Sequence, residues 1–219
     1  MKLNHIINIG YPKCGTTWCW EILTQQNWFS YPREKENNDL LFGIKTVDQY
    51  ILDYNNYNIS ANFCPNMFGI DRYLICLLHE ISTLSVSIIL RNPFELYWSL
   101  YNFLDPKNIT FLEHTENWHS QGWWNQTDLI LARWMEIFPS DRFKIFFYED
   151  LQSNPTLFFE NYCDQMHLPE PIILNSKKVN ATRYKHTNSE ISTNLVDAIN
   201  WDIDRLQTIV SRDISHWKR

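Results

Sequence analysis

Apolar residues along this chain fall into two periods. Three short runs, residues 6–9 (Ile-Ile-Asn-Ile), 86–90 (Val-Ser-Ile-Ile-Leu) and 143–147 (Phe-Lys-Ile-Phe-Phe), have the length and the β-branched or aromatic content of strands. The second is almost continuously apolar, as in a strand buried on both faces of a parallel sheet. Between the runs the spacing becomes helical. Helices are predicted over residues 16–25, 71–82, 93–103, 126–138, 154–166 and 202–211. Leu74, Leu77, Leu78 and Ile81 follow i, i+3, i+4, i+7 behind Asp71 as N-cap, and Asn154 and Pro155 supply a cap and a first helical residue. Ile203, Leu206, Ile209 and Val210 make the last stripe. Strands alternating with helices predict an α/β fold with a central parallel β-sheet flanked by helices, as one domain over residues 1–219.

Two stretches carry neither period. A polar loop over residues 32–39 leads into a segment rich in Asn, Tyr and Asp that reaches about residue 66, read as a long surface excursion of the kind that forms substrate walls. A second loop follows the helix at 93–103 and holds His114, Trp118, His119, Trp123 and Trp124. Tryptophans at this density either stack on a flat or sugar-like ligand or pack a core with their N–H groups bonded.

Composition narrows the classes. The net charge of −6 comes without a long basic run, so the electrostatic footprint of a nucleic-acid binder is missing. Five cysteines, Cys14, Cys19, Cys64, Cys76 and Cys163, are odd in number and without paired spacing, as expected of reduced thiols. No apolar stretch approaches the ~20 residues of a membrane-spanning helix. Met1 leads almost at once into the first strand, so the expectation is a cytoplasmic protein with no membrane partner.

The chemistry starts where the first strand meets the first helix. In residues 10–17, Gly-Tyr-Pro-Lys-Cys-Gly-Thr-Thr, the turn aims backbone N–H groups and the positive end of the following helix at one place, and Lys13 adds a charge. Two of only five glycines, Gly10 and Gly15, sit here, where a positive φ or close approach to an anion excludes a side chain. This is not a Walker A loop, in which the lysine follows the second glycine; here Lys13 precedes Gly15.

The strand at 86–90 ends in Arg91-Asn92-Pro93. NTPases of this architecture place a magnesium-binding aspartate after such a strand. A guanidinium there calls for an additional anionic group on the ligand, gripped by paired hydrogen bonds, with Ser99 two turns into the next helix as a second donor.

These segments resemble those of the sulfotransferase family, which uses 3′-phosphoadenosine 5′-phosphosulfate (PAPS). Residues 11–18 are similar to its 5′-phosphosulfate loop, with Cys14 where serine is more usual; Arg91 to Ser99 are similar to its 3′-phosphate motif, with Leu96 in place of a frequent arginine. Residues 146–151 with Asn154-Pro155, and residues 203–217, also resemble family elements, whereas residues 30–69 do not. The resemblance implies a P-loop NTPase-like sulfotransferase fold, PAPS as cofactor with adenosine 3′,5′-bisphosphate as product, no metal, and a small-molecule or glycan-like acceptor. It implies Lys13 as the catalytic cation, Cys14, Gly15, Thr16 and Thr17 around the 5′-phosphate, and Arg91 and Ser99 on the 3′-phosphate. It adds Tyr148, Arg183 and Lys185 as further cofactor contacts. Trp18 is either the family's adenine-stacking aromatic or a core residue one turn before Ile22.

The family's base is not matched. Its lysine-glutamate element aligns with Lys45-Thr46-Val47-Asp48, and a second glutamate element with Asn62-Phe63-Cys64-Pro65, so Asp48 is the nearest carboxylate; His79, His114 and His119 are unranked alternatives. A small-molecule or nucleotide kinase, and a nucleotide-binding protein without turnover, stay open as rivals.

Overall fold

A computed structural model describes residues 4–30, 34–122, 124–172 and 191–219. Four strands form one sheet in the order β2-β1-β3-β4: β1 (Asn4–Asn8), β2 (Ile59–Phe63), β3 (Leu84–Leu90) and β4 (Phe143–Phe147). All neighbours are parallel, with Asn8 opposite both Phe63 and Ser87, and Leu90 opposite Phe147. Ile6, Ile7, Val86, Ile88 and Ile89 are wholly buried, which is why their runs are apolar without alternation.

The described residues of Met1–Leu90 and Trp134–Asn180 make one compact unit, and those of Arg91–Arg133 and Ala181–Arg219 another. The first holds the sheet with α1 (Thr16–Leu23), α2 (Val47–Leu52) and α3 (Arg72–His79). Asp71 caps α3 as expected, accepting the Leu74 N–H at 2.8 Å. The Arg142 guanidinium joins the end of that helix to the start of β4 through the carbonyls of His79, Ile81 and Leu84. The second unit holds α4 (Pro93–Leu104), α5 (Phe111–Ser120) and α9 (Thr193–Gln207); α6 (Thr127–Ile137) runs from the second unit into residues of the first. The first unit is completed by α7 (Tyr148–Ser153) and α8 (Pro155–Gln165), the latter capped by Asn154.

Three expectations need correction. The excursion over residues 32–66 contains α2 and β2. Strand β2 escapes the period test because its Ser60 and Asn62 are polar yet fully buried. His5 lies 2.9 Å from Ser60 Oγ and 3.1 Å from Tyr50 Oη, and the Asn62 amide donates to Tyr50 Oη and to the Asn37 carbonyl. Each polar group is satisfied, so burial is tolerated. The loop placed after α4 holds a helix, α5, started by a capping box in which Thr110 and Glu113 bond each other's backbone N–H. Helix α9 begins at Thr193, nine residues ahead of the helix read from sequence, and residues 148–151 open α7. Glu149 and Asp150 thus lie in a first helical turn, where negative charge suits the dipole.

Candidate active site

In a sheet of order β2-β1-β3-β4 the connections leave β1 and β3 in opposite directions, which opens a crevice at their carboxyl ends. The turn of residues 10–15 leaves β1 there. Its first residues stay zipped to β3: Ile9 N–H donates to Ser87 O at 2.9 Å, Ile89 N–H to Gly10 O at 2.9 Å, and Tyr11 N–H to Ile89 O at 3.1 Å.

From there the backbone reverses sharply. Lys13 takes φ 62°, and Gly15 takes φ 81° as the N-cap of α1. A lysine in the left-handed region is uncommon and such conformations concentrate at functional sites. A glycine cap has no side chain to occupy the N–H groups of the first turn, so that end of the eight-residue helix is presented to an anion. The residues fit a phosphate or sulfate group on this observation: the cap puts no side chain over the helix end, and a β-carbon at Gly15 would find no room behind the turn. It would overlap Leu151 Cδ2 and lie 3.4 Å from two ring carbons of Tyr148. Helix α7 is therefore seated directly against the turn, with the Tyr148 ring beside Gly15.

Other members of the expected set divide. Thr16 is buried, and Lys13 and Thr17 are part-exposed. Cys14 is buried and its thiol faces the Pro12 carbonyl at 3.6 Å. Trp18 is a core residue: it is buried, and its ring stands edge-on to Phe159 of α8 with centroids 5.8 Å apart. Arg183 and Lys185, like Trp123, lie outside the described residues.

In the second unit Arg91 and Ser99 are both only 4% exposed. Asn92 caps α4 through the Phe94 N–H at 3.0 Å and donates to the Trp217 carbonyl at 3.3 Å, so the residue beside Arg91 is fixed from two directions. The Arg91 guanidinium stands 3.9 Å from the Glu95 carboxylate, one turn on, and Arg219 reaches the same carboxylate at 3.7 Å while covering the Phe94 ring. A buried guanidinium at the start of a twelve-residue helix combines a full charge with a helix dipole of the same sign. That combination favours an anion.

The proposed bases are scattered. Asp48 is exposed in the first turn of α2. His79 sits 3.9 Å from Glu80 and edge-on to Phe138. His114 is buried between Tyr101 and Trp118, its pKa lowered by burial. His119 bonds the buried Asp202 at 2.8 Å.

One carboxylate was passed over. Glu36 lies in the loop bound to the carboxyl end of β2: Phe63 N–H donates to Lys35 O, and Asn37 N–H to Asn62 Oδ1, both at 2.9 Å. Its carboxylate pairs with Lys35 at 2.6 Å and helps burial raise the neighbouring Cys64 thiol to about 11. Cys64 N–H in turn donates to Asn8 O, the last residue of β1. The Glu-Lys-Glu run at 34–36 was the visible signal.

The fold and the glycine-capped turn define an α/β protein of the P-loop-like class. A family model described as "Sulfotransferase domain" matches residues 3–219, and the chain belongs to that family. Among solved structures it is similar to a sulfotransferase from Alicyclobacillus acidocaldarius, with 16% identity, a TM-score of 0.73 and all of both chains covered. It is also similar to a mouse sulfotransferase complexed with PAP, with 11% identity and a TM-score of 0.62 over 99% of this chain and 88% of that one. A sulfotransferase domain from a Synechococcus olefin synthase aligns with 11% identity and a TM-score of 0.54 over 91% and 93%. No curated protein sequence matches the chain. Among the described residues no helix is long and apolar enough to cross a membrane, and no group of three or more His, Cys, Asp or Glu forms a metal cluster.

Proposed function

We propose that this chain passes the sulfuryl group of PAPS to a hydroxyl or amine of a small-molecule or glycan-like acceptor, leaving adenosine 3′,5′-bisphosphate. The observation that carries the reading is the turn at the carboxyl end of β1, with a left-handed Lys13 and a glycine cap on α1. PAPS supplies the activated sulfuryl group and the phosphate that leaves. The chain's part is to hold that phosphate on the N–H groups of residues 14–17 and to stabilise its growing charge with the Lys13 ammonium. A sulfuryl group carries less charge than a phosphoryl group, so a lysine and backbone amides meet the demand. Arg91 and Ser99, with Arg183 and Lys185, take the 3′-phosphate; Tyr148 borders the turn. We assign the acceptor's proton to Glu36 rather than Asp48, because the loop of Glu36 is bonded to the carboxyl edge of the sheet, where ligands of such folds bind. Five free thiols, four of them buried, suit the reducing cytoplasm.

The test is a thermal melt. Adenosine 3′,5′-bisphosphate at ~100 times its Kd adds about 2.7 kcal/mol of stability. Stabilisation by ATP with magnesium alone would replace this reading with the kinase. Stabilisation by the bisphosphate, without sulfated product from any acceptor in a screen controlled by Lys13→Ala, would leave a nucleotide-binding protein without turnover.

A further inference from the structure

Three polar side chains lie wholly buried inside the sheet's apolar core, outside the site just described. They are Asn8 at the end of β1, Ser87 of β3 and Tyr162 of α8. They form one connected group. Asn8 Nδ2 donates to Ser87 Oγ at 3.0 Å, and Ser87 Oγ lies 3.0 Å from Tyr162 Oη. Phe63, Phe146, Phe158 and Phe159 surround the Tyr162 ring. A core of that composition gains nothing in packing from three polar groups, since apolar residues of the same shape avoid their desolvation.

Among the described residues the group has one side-chain outlet. Asn8 Oδ1 accepts the backbone N–H of Gly10, at 3.4 Å. Gly10 has φ 150°, a conformation side-chain-bearing residues seldom adopt, so it enters the cradle with more freedom than its neighbours. Its carbonyl is already held by Ile89 N–H. The amide is the group left to fix, and Asn8 reaches it from a carboxamide bonded to Ser87, whose hydroxyl Tyr162 bonds in turn.

We propose that Asn8, Ser87 and Tyr162 act as a relay of positioning residues that sets the entry of the cradle turn, so that the N–H groups of residues 14–17 converge on the anion before it arrives. None touches the ligand. Each acts through Gly10. The inference deepens the sulfotransferase reading and rests on it for its kinetic consequences, but its structural consequence stands alone.

The experiment therefore has two arms on wild type, Asn8→Ala, Ser87→Ala and Tyr162→Phe. The last removes a single hydroxyl and keeps the ring packing, so it remains informative if the others fold poorly. In the ligand-free protein, amide hydrogen exchange over residues 10–15 is expected to speed up roughly three- to tenfold, the worth of one hydrogen bond, with β1 and β3 unchanged. In the second arm, affinity for adenosine 3′,5′-bisphosphate and kcat fall by the same factor, while KM for the acceptor holds. Ser87→Thr, which keeps the hydroxyl, restores both. Exchange that rises equally across turn and strands, or a lower melting temperature with turn exchange and bisphosphate affinity unchanged, would reduce the relay to core structure and overturn the proposal. Wild type that binds no bisphosphate would sink the PAPS reading instead, with the exchange arm still deciding the relay.

Discussion

Gly15 and Leu151 are in such close register that a β-carbon on the first would overlap Cδ2 of the second, although 136 positions separate them along the chain. The glycine thus meets two demands: the φ of 81° that ends the turn, and the space in which α7 seats itself. Gly15→Ala incurs a left-handed penalty of about 1–2 kcal/mol and overpacking of about 1–3 kcal/mol. Denaturant unfolding is expected to show a loss of roughly 2–5 kcal/mol from the two together. The double variant with Leu151→Ala should be less unstable than the sum of the singles. Strict additivity would mean that the contact does not shape the turn.

Arg91 offers a cleaner separation of binding from chemistry. It is buried at the start of α4, beside an Asn92 held by both the helix and the Trp217 carbonyl. Arg91→Ala is expected to weaken adenosine 3′,5′-bisphosphate by at least about tenfold, the scale of a charge-assisted hydrogen bond. Adenosine 5′-phosphate, which lacks the 3′ group, should bind both forms alike. Equal bisphosphate affinity in variant and wild type, measured by calorimetry, would remove Arg91 from the site.

What the sequence made legible follows from range. Strand β3 declared itself because burial on both faces makes its residues almost continuously apolar, and β1 and β4 were readable from short β-branched or aromatic runs. The turn after β1 was legible because it is a local backbone path, set by Gly10, Lys13 and Gly15 within six residues. Strand β2 was hidden because Ser60 and Asn62 look solvent-facing until His5, Tyr50 and Asn37 are brought to them. Helix α5 was missed for a different reason: its Thr110–Glu113 capping box was readable, but its few buried positions, Phe111, His114 and Thr115, give no long apolar stripe. The same range argument covers Leu151 behind Gly15 and Glu36 beside Cys64. Neither follows from spacing, since each partner arrives from elsewhere in the chain.

The two carboxylates nominated as base make different predictions. Glu36→Gln is expected to lower kcat by about 10²–10⁴ while the thermal shift with the bisphosphate stays as in wild type. Asp48→Asn, on an exposed first turn, should change kcat by less than about threefold, the modest worth of one charge at a helix N-terminus. The reverse ranking in a sulfation assay would return the role to Asp48.

Lys13 places stability and activity in opposition. Its φ of 62° costs a side-chain-bearing residue about 1 kcal/mol or more. Lys13→Gly removes that strain, though the freer unfolded chain takes some back. Stability is therefore expected to hold or rise by up to about 1 kcal/mol, with turnover down by roughly 10²–10³, as for loss of an oxyanion-type donor. Lys13→Ala keeps the strain and loses the same turnover. A Lys13→Gly variant that melts well below Lys13→Ala would show that the lysine stem, and not its charge alone, holds the turn.

Two buried imidazoles predict a loss of stability in acid. His5, shut inside the first unit against Ser60 and Tyr50, is pushed down by burial from 6.5 to about 3. Between those values the unfolded chain takes up a proton that the folded chain refuses, so the stabilisation is complete above pH 6.5 and drains away as pH falls toward 3. At pH 5 the loss from His5 is about 2 kcal/mol. His114 shifts in the same direction for the same reason, and neither of its ring nitrogens has a hydrogen-bond partner among the described residues. Urea midpoints should therefore drop between pH 7 and pH 5. His114→Phe, which keeps an aromatic ring between Tyr101 and Trp118 without the unpaired nitrogens, should raise stability at both values and flatten the slope. A midpoint independent of pH over that interval would mean that these rings reach solvent, and that the cores around β1 and α5 are looser than the packing shows.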